Sequence, residues 1–172
     1  MMMKLQIIIN GPGGVGKDTL IESIKKYKWK SISSIDPYKD VAKQLGWEGS
    51  KDDKSRKFLS DLKSLSIQYN DFPSKYIYDE CVNFCENDDE YEILFIHIRE
   101  PEEIQKVVEL TGAKTLLIIP GAREIHDGVY GNKSDDSVLD YDYDYMFINQ
   151  DDIETEKVRF NDLIDKITYD KI

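Results

Sequence analysis

Nine residues near the N-terminus combine glycines, a lysine and a hydroxyl in an order suited to binding phosphate: Gly11-Pro12-Gly13-Gly14-Val15-Gly16-Lys17-Asp18-Thr19. The spacing is G-x-x-x-x-G-K, set between an apolar run and a helical pattern. Glycines let the backbone adopt positive φ and turn its N–H groups toward an anion. The N-terminus of the following helix adds about half a positive charge. Lys17 has the reach to meet the β- and γ-phosphates of a nucleotide. Mg²⁺ normally takes a Ser or Thr hydroxyl directly after the lysine; here Asp18 stands there and Thr19 follows. The nucleotide contacts are therefore assigned to Gly11, Gly13, Gly14, Val15, Gly16, Lys17, Asp18 and Thr19, and the metal contacts to Asp18 and Thr19.

Moving a phosphoryl group needs two substrates held in place and positive charge over the transferring group. The chain has 172 residues and a net charge of −11, which argues against nucleic acid or an anionic membrane as partner. Positive charge must then be concentrated locally. There are four arginines, at 56, 99, 123 and 159. Arg99 directly follows a buried strand end, Arg56 lies near a helix start, and Arg123 lies in an irregular segment suited to a lid. Lys17, Arg99 and Arg123 form the candidate catalytic set. Asp36, Arg56 and Arg99 form the candidate acceptor set. Arg159, in the last helix, reads as a surface residue. His97 ends a strand, as a hydrogen-bonded structural histidine or as a chemical group. Tyr38 and Trp47 read as packing, and no role is assigned to His126.

These residues need elements to hold them. Residues 5–9 are apolar apart from Gln6, as in a buried parallel strand. A helical pattern over 17–28 follows, then a strand over 31–35. Asp36 and Pro37 start a helix as cap and first residue, and Gly46 stops it. Ser50 and Asp53 resemble a capping box for a helix running to about residue 70. Its face is read as Phe58, Leu59, Leu62, Leu65 and Tyr69. After Pro73, a helix carries Ile77, Cys81, Phe84 and Cys85, both cysteines being read as buried structural thiols. Residues 86–90 read as a solvated acidic turn. A strand over 93–97, a helix opened by Pro101 and closed at Gly112, a strand over 115–119, an irregular segment over 122–140, a strand over 145–149 and a final helix complete the chain. The alternating Asp and Tyr residues at 140–145 extend the last strand or form a loop.

Five strands separated by helices predict a single domain, a three-layer α/β/α fold around a five-stranded parallel sheet. In such sheets ligands bind beyond the carboxyl ends of the strands. No apolar run is long enough for a signal peptide or membrane span, so a cytoplasmic protein is expected.

The chain resembles the P-loop nucleoside monophosphate kinases, and most closely the deoxynucleoside monophosphate kinase group of phages and bacteria. The resemblance rests on G-P-G-G-V-G-K-D-T (11–19), S-S-I-D-P (33–37), K-S-R-K-F-L-S-D-L-K (54–63), I-H-I-R-E-P-E-E-I (96–104) and D-Y-D-Y-M-F-I-N (142–149). The displaced hydroxyl of G-K-D-T is itself similar to that group. The resemblance implies the P-loop NTPase fold, with a helical monophosphate-binding region over 36–87 and a short lid over 121–140. It implies ATP and Mg²⁺ as cofactors, nucleotides as partners, and transfer of the γ-phosphate to a (deoxy)nucleoside monophosphate. His97 departs from it, since related kinases place an acid there. Three alternatives stand beside it. One is a kinase of a small hydroxyl metabolite, with Asp36 as base. Another is a non-catalytic nucleotide-binding module. The third is a GTPase suggested by N-K-S-D at 132–135. The oligomeric state is open between monomer and homodimer.

Overall fold

The fold is described by a computed structural model, which covers residues 3–121 and 137–170. Five strands form one sheet in the order β2-β3-β1-β4-β5. They are β1 (Leu5–Asn10), β2 (Trp29–Ser33), β3 (Ile93–His97), β4 (Lys114–Pro120) and β5 (Tyr145–Asn149). Every pairing is parallel. All carboxyl ends therefore lie along one edge of the sheet, where the sequence places its chemistry.

Alternation along the strands sorts the core into two faces. Leu5, Ile7, Ile9, Phe95 and Ile118 point to one face and meet Leu20 and Ile21 of α1 (Lys17–Glu22). Phe160, Ile164 and Ile167 of α6 (Ile153–Asp170) cover the same face. Ile8, Leu94 and Ile96 point to the other face. There they meet Ile77, Cys81 and Phe84 of α4 (Phe72–Asn87) and Ile104 and Val107 of α5 (Pro101–Thr111). The result is three layers, as expected. The central strand β1 sends its helix to one face while its neighbour β3 sends α5 to the other. That makes the end of β1 a switch point, where a doubly wound sheet opens a ligand crevice.

Several local expectations differ from the structure. Helix α1 ends at Glu22 rather than at residue 28. The Ser23 hydroxyl donates to the Leu20 carbonyl at 2.6 Å, and Ile24 N donates to Ile21 O at 3.0 Å. Such i→i−3 bonds tighten the last turn and stop the helix. Residue 28 is used instead for the sheet, its carbonyl accepting from Glu92 N and Ile93 N. Strand β2 accordingly begins at Trp29 and ends at Ser33.

Helix α2 (Asp36–Gln44) is capped by Ile35, not Asp36, and α3 (Asp53–Asn70) by Asp52, whose carboxylate accepts from Ser55 N at 2.7 Å. The stripe read on α3 is its buried face only in part: Phe58, Leu59 and Leu62 are half-buried, but Leu65 and Tyr69 are 63% and 88% exposed, whereas Ser55 and Lys63 are buried. The inward positions are 55, 58, 59, 62, 63 and 66, a helical period carried by mixed residue types. On α4, Cys81 is buried and Cys85 is exposed, though Cys85 Sγ still accepts from Gln6 Nε2. Asp88, in the turn read as solvated, is tied to Lys30 at 2.6 Å and accepts from Glu90 N and Tyr91 N. The Lys30 hydrogen bond and those amides hold its pKa down at about 2. The alternating run at 141–144 precedes β5 rather than extending it, with Tyr141 and Tyr143 packed against the α4–α5 face.

Candidate functional site

The glycine-rich loop leaves β1 at the centre of the carboxyl edge. Its first glycine is fixed by a close approach: a Cβ on Gly11 would lie 2.3 Å from the Ile118 carbonyl oxygen of β4. Gly16 has φ 89°, and its Cβ would lie 3.0 Å from Asn149 Nδ2. Gly14 also has positive φ, at 77°. Gly13 and Gly14 are exposed at the outer turn, while Val15 is buried beneath it and donates its N–H to Pro12 O at 3.3 Å. The glycines thus serve different needs: close packing at 11, left-handed backbone at 14 and 16.

Lys17, the first residue of α1, folds back across the loop. Its ammonium donates to Gly11 O at 2.8 Å and Pro12 O at 3.3 Å. A cation is thereby held over a curl of main chain at the switch point. Two strand-end asparagines brace the same loop. Asn10 Oδ1 accepts from Gly11 N at 2.8 Å, and Asn149 Nδ2 donates to Val15 O at 2.8 Å. Neither asparagine is among the residues singled out by sequence. The available signal is a polar residue closing an otherwise apolar strand at the site edge.

Asp18 and Thr19 are both exposed but point to different surroundings. The Asp18 charge is felt at His97, across the cleft edge of β3. Thr19 lines a groove of about 660 Å³ between α1 and α6, with Ser23, Lys157 and Asn161. Among the described residues no cluster of three or more His, Cys, Asp or Glu side chains has the arrangement of a metal site.

The acceptor candidates separate. Arg99 is exposed just beyond β3, and its carbonyl accepts from Asn10 Nδ2 at 3.1 Å, so its backbone is joined to the loop. Asp36 is engaged: one oxygen accepts from Ser33 N at 2.7 Å and the other from Lys39 at 2.8 Å. Arg56 lies on the outer side of α3, 69% exposed, with Asp53 at 3.8 Å. Among the described residues, nothing joins Arg56 to the loop. Arg123, His126, the sequence N-K-S-D and most of the expected lid lie outside the described residues. Arg159 is more than a surface residue. It donates to both oxygens of the fully buried Glu156, which in turn accepts from Gln150 N and Asp151 N after β5.

A charged cluster stands beside the cleft that sequence reasoning passed over. Lys63 of α3 is buried, with Nζ 2.8 Å from Ser34 Oγ, 2.9 Å from Glu100 Oε2 and 2.5 Å from Glu103 Oε2. The Glu103 contact is an ion pair in distance only: neither Glu103 oxygen has an aligned hydrogen-bond donor among the described residues. Burial pulls the Lys63 pKa down, but Glu103 and Glu100 outweigh it and hold it above the ordinary lysine value. Burial wins at Glu103, whose pKa is raised, whereas Lys63 overcomes burial at Glu100 and lowers its pKa. The helical region is therefore fastened to the ends of β2 and β3 by a buried Lys63–Glu103 pair and a half-exposed Glu100. Within the helical region, Tyr38 of α2 ties α3 and α4 together, through its hydroxyl to Ser66 and its ring edge to Phe72.

His97 ends β3 between β1 and β2, opposite Ile9 and Ser33. Burial lowers its pKa below the ordinary 6.5; Asp18 and Asp36 oppose this, and Lys17 and Lys39 assist it. The folded protein therefore holds His97 neutral where the unfolded chain binds a proton. The stability this contributes is complete above about pH 6.5 and is lost as pH falls from there through the lower folded pKa. Urea unfolding between pH 7.5 and 5.5 is expected to show stability falling with acidity in that window, and His97→Gln to flatten that slope.

No protein-family model matches the chain, and no curated protein is similar enough to count as a relative. No helix among the described residues is long and apolar enough to cross a membrane.

Proposed function

We propose that this chain is a P-loop phosphotransferase, binding ATP by its triphosphate. Within that class, the reading best supported is a kinase that phosphorylates a (deoxy)nucleoside monophosphate to the diphosphate. The observation that carries it is the loop itself. A cradle that excludes side chains at Gly11 and Gly16 sits at the switch point, with the Lys17 ammonium lying over it. Loop N–H groups and Lys17 hold the donor phosphates, and Arg99 and Arg123 bear on the transferring group and the acceptor phosphate.

The residues present suit Mg²⁺, which needs only one or two carboxylates beside phosphate and water oxygens. Asp18, exposed in the first turn of α1 directly after Lys17, offers that carboxylate; Thr19, which lines the α1–α6 groove, is the weaker candidate. Bound to the phosphates, the ion neutralises their charge. In the transfer itself, an acceptor phosphate oxygen forms a bond to the γ-phosphorus as the bond to the β,γ-bridging oxygen breaks, leaving ADP.

The hydroxyl-acceptor reading draws less support, because Asp36, its general base, already holds Ser33 N and Lys39. A coupled ADP-release assay over nucleoside monophosphates and small alcohols tests the choice. Turnover with an alcohol and none with any monophosphate overturns the proposal. Gly11→Ala supplies a test of the donor site alone. Its Cβ cannot fit beside Ile118 O without moving the loop, so titration calorimetry should show Mg·ATP affinity lower by about tenfold or more, about 1.4 kcal/mol.

A further inference from the structure

Asn10 is 1% exposed, and its side chain is bonded at both ends. Its oxygen accepts from Gly11 N, the first N–H of the loop, at 2.8 Å. Its amide nitrogen donates to the Arg99 carbonyl at 3.1 Å and to the Tyr143 hydroxyl at 2.8 Å. The Tyr143 hydroxyl then donates to Val138 O at 2.8 Å, in the turn leading toward β5. This pattern fixes which end of the amide is which. Reversing it would set an NH₂ against an N–H and an oxygen against a carbonyl. Aspartate lacks the two donors and serine lacks the reach. The residue thus joins three strand-end segments: the loop after β1, Arg99 after β3, and the chain before β5.

We propose that Asn10 is a positioning residue that couples occupancy of the donor loop to the placement of Arg99, with Tyr143 as the second member of the relay. The inference rests on the loop being the ATP site. When phosphates draw the loop N–H groups toward them, the Gly11 N–H and the Asn10 amide move as one unit, and the Arg99 backbone moves with them. The coupling acts on where the arginine stands, not on whether ATP binds.

Hydrogen exchange, read by mass spectrometry on the full chain with saturating Mg·ATP and without, tests this. In the wild type, ATP should slow exchange in the loop and also at residues 98–100. Tyr143→Phe removes one hydroxyl from a half-buried ring and should keep the fold. It leaves the direct Asn10–Arg99 bond in place but removes the partner of the second amide N–H, so it should retain protection in the loop and weaken it at 98–100. Asn10→Asp keeps the acceptor for Gly11 N but removes both donors, so it should retain protection in the loop and lose it at 98–100; if it does not fold, the weakening in Tyr143→Phe carries the test. In steady-state assays Tyr143→Phe should leave the KM for ATP within about twofold and lower kcat by about tenfold, since small misplacement of a transition-state group costs rate more than binding. Loop protection in the wild type without protection at 98–100 overturns the coupling and leaves the donor site standing, as does protection at 98–100 that is unchanged in a folded Asn10→Asp or, where that variant does not fold, unchanged in Tyr143→Phe. No slowing of the loop by Mg·ATP in the wild type overturns the donor site, and the coupling with it.

Discussion

Lys17→Ala is expected to lower kcat for monophosphate phosphorylation by about 10²–10³-fold, the loss that follows removal of one preorganised group facing developing charge. The ammonium already lies 2.8 Å from Gly11 O and 3.3 Å from Pro12 O, so the cation is in place before substrate arrives. The side chain spans the loop without supporting the core, and urea unfolding should change by less than about 1 kcal/mol. The combination of lost rate and retained stability separates a donor-site lysine from a structural one. A variant that keeps its turnover contradicts the assignment.

The largest effect on stability is expected at Lys63. Removing one partner of a buried ion pair leaves the other charge uncompensated, at a cost of about 3–5 kcal/mol. Lys63→Ala would strand Glu103, 6% exposed, beside Glu100. Its sign can be separated from simple loss of packing. Lys63→Met with Glu103→Leu removes the pair together and should recover most of the loss, because apolar replacement of a buried pair is often neutral or better. Urea unfolding of the single and double variants measures both. Equal destabilisation of the two would show that the charges do not face one another in solution.

Why Lys63 escaped the sequence reading is physical. Apolar side chains usually face inward, which points the α3 stripe through Phe58, Leu59, Leu62, Leu65 and Tyr69 and leaves Lys63 out. Here the inward face meets Ser34 and two glutamates at the cleft edge, so a lysine is what fits there. The layers of the fold were legible for the converse reason. Residues 7–9, 93–96 and 116–119 are apolar without interruption, as strands covered on both faces must be. The glycine spacing located the loop, because its backbone demands no other residue. Element ends were less legible: α1 stops at Ser23 through one hydroxyl, and Asp52, not Ser50, caps α3. Asn149 braces the loop through a bond to Val15, far away in sequence, and Asn10, bonded to the adjacent Gly11 N, is itself held by the distant Arg99 carbonyl and Tyr143 hydroxyl, which no local pattern announces. Arg99 stands exposed just beyond β3, at the carboxyl edge that its place in the sequence implies, whereas Arg56, near the start of α3, stands on the outer side of its helix beside Asp53.

The claim that this loop donates a phosphoryl group to a nucleotide is tested most directly by its products. Purified protein is mixed with Mg·ATP and each nucleoside monophosphate in turn, and the nucleotides are resolved by anion-exchange chromatography. The account predicts that at least one monophosphate is converted to its diphosphate in equal amount with ADP, and that Lys17→Ala abolishes both. ATP left intact with every monophosphate, or ADP formed with no acceptor diphosphate, would contradict it.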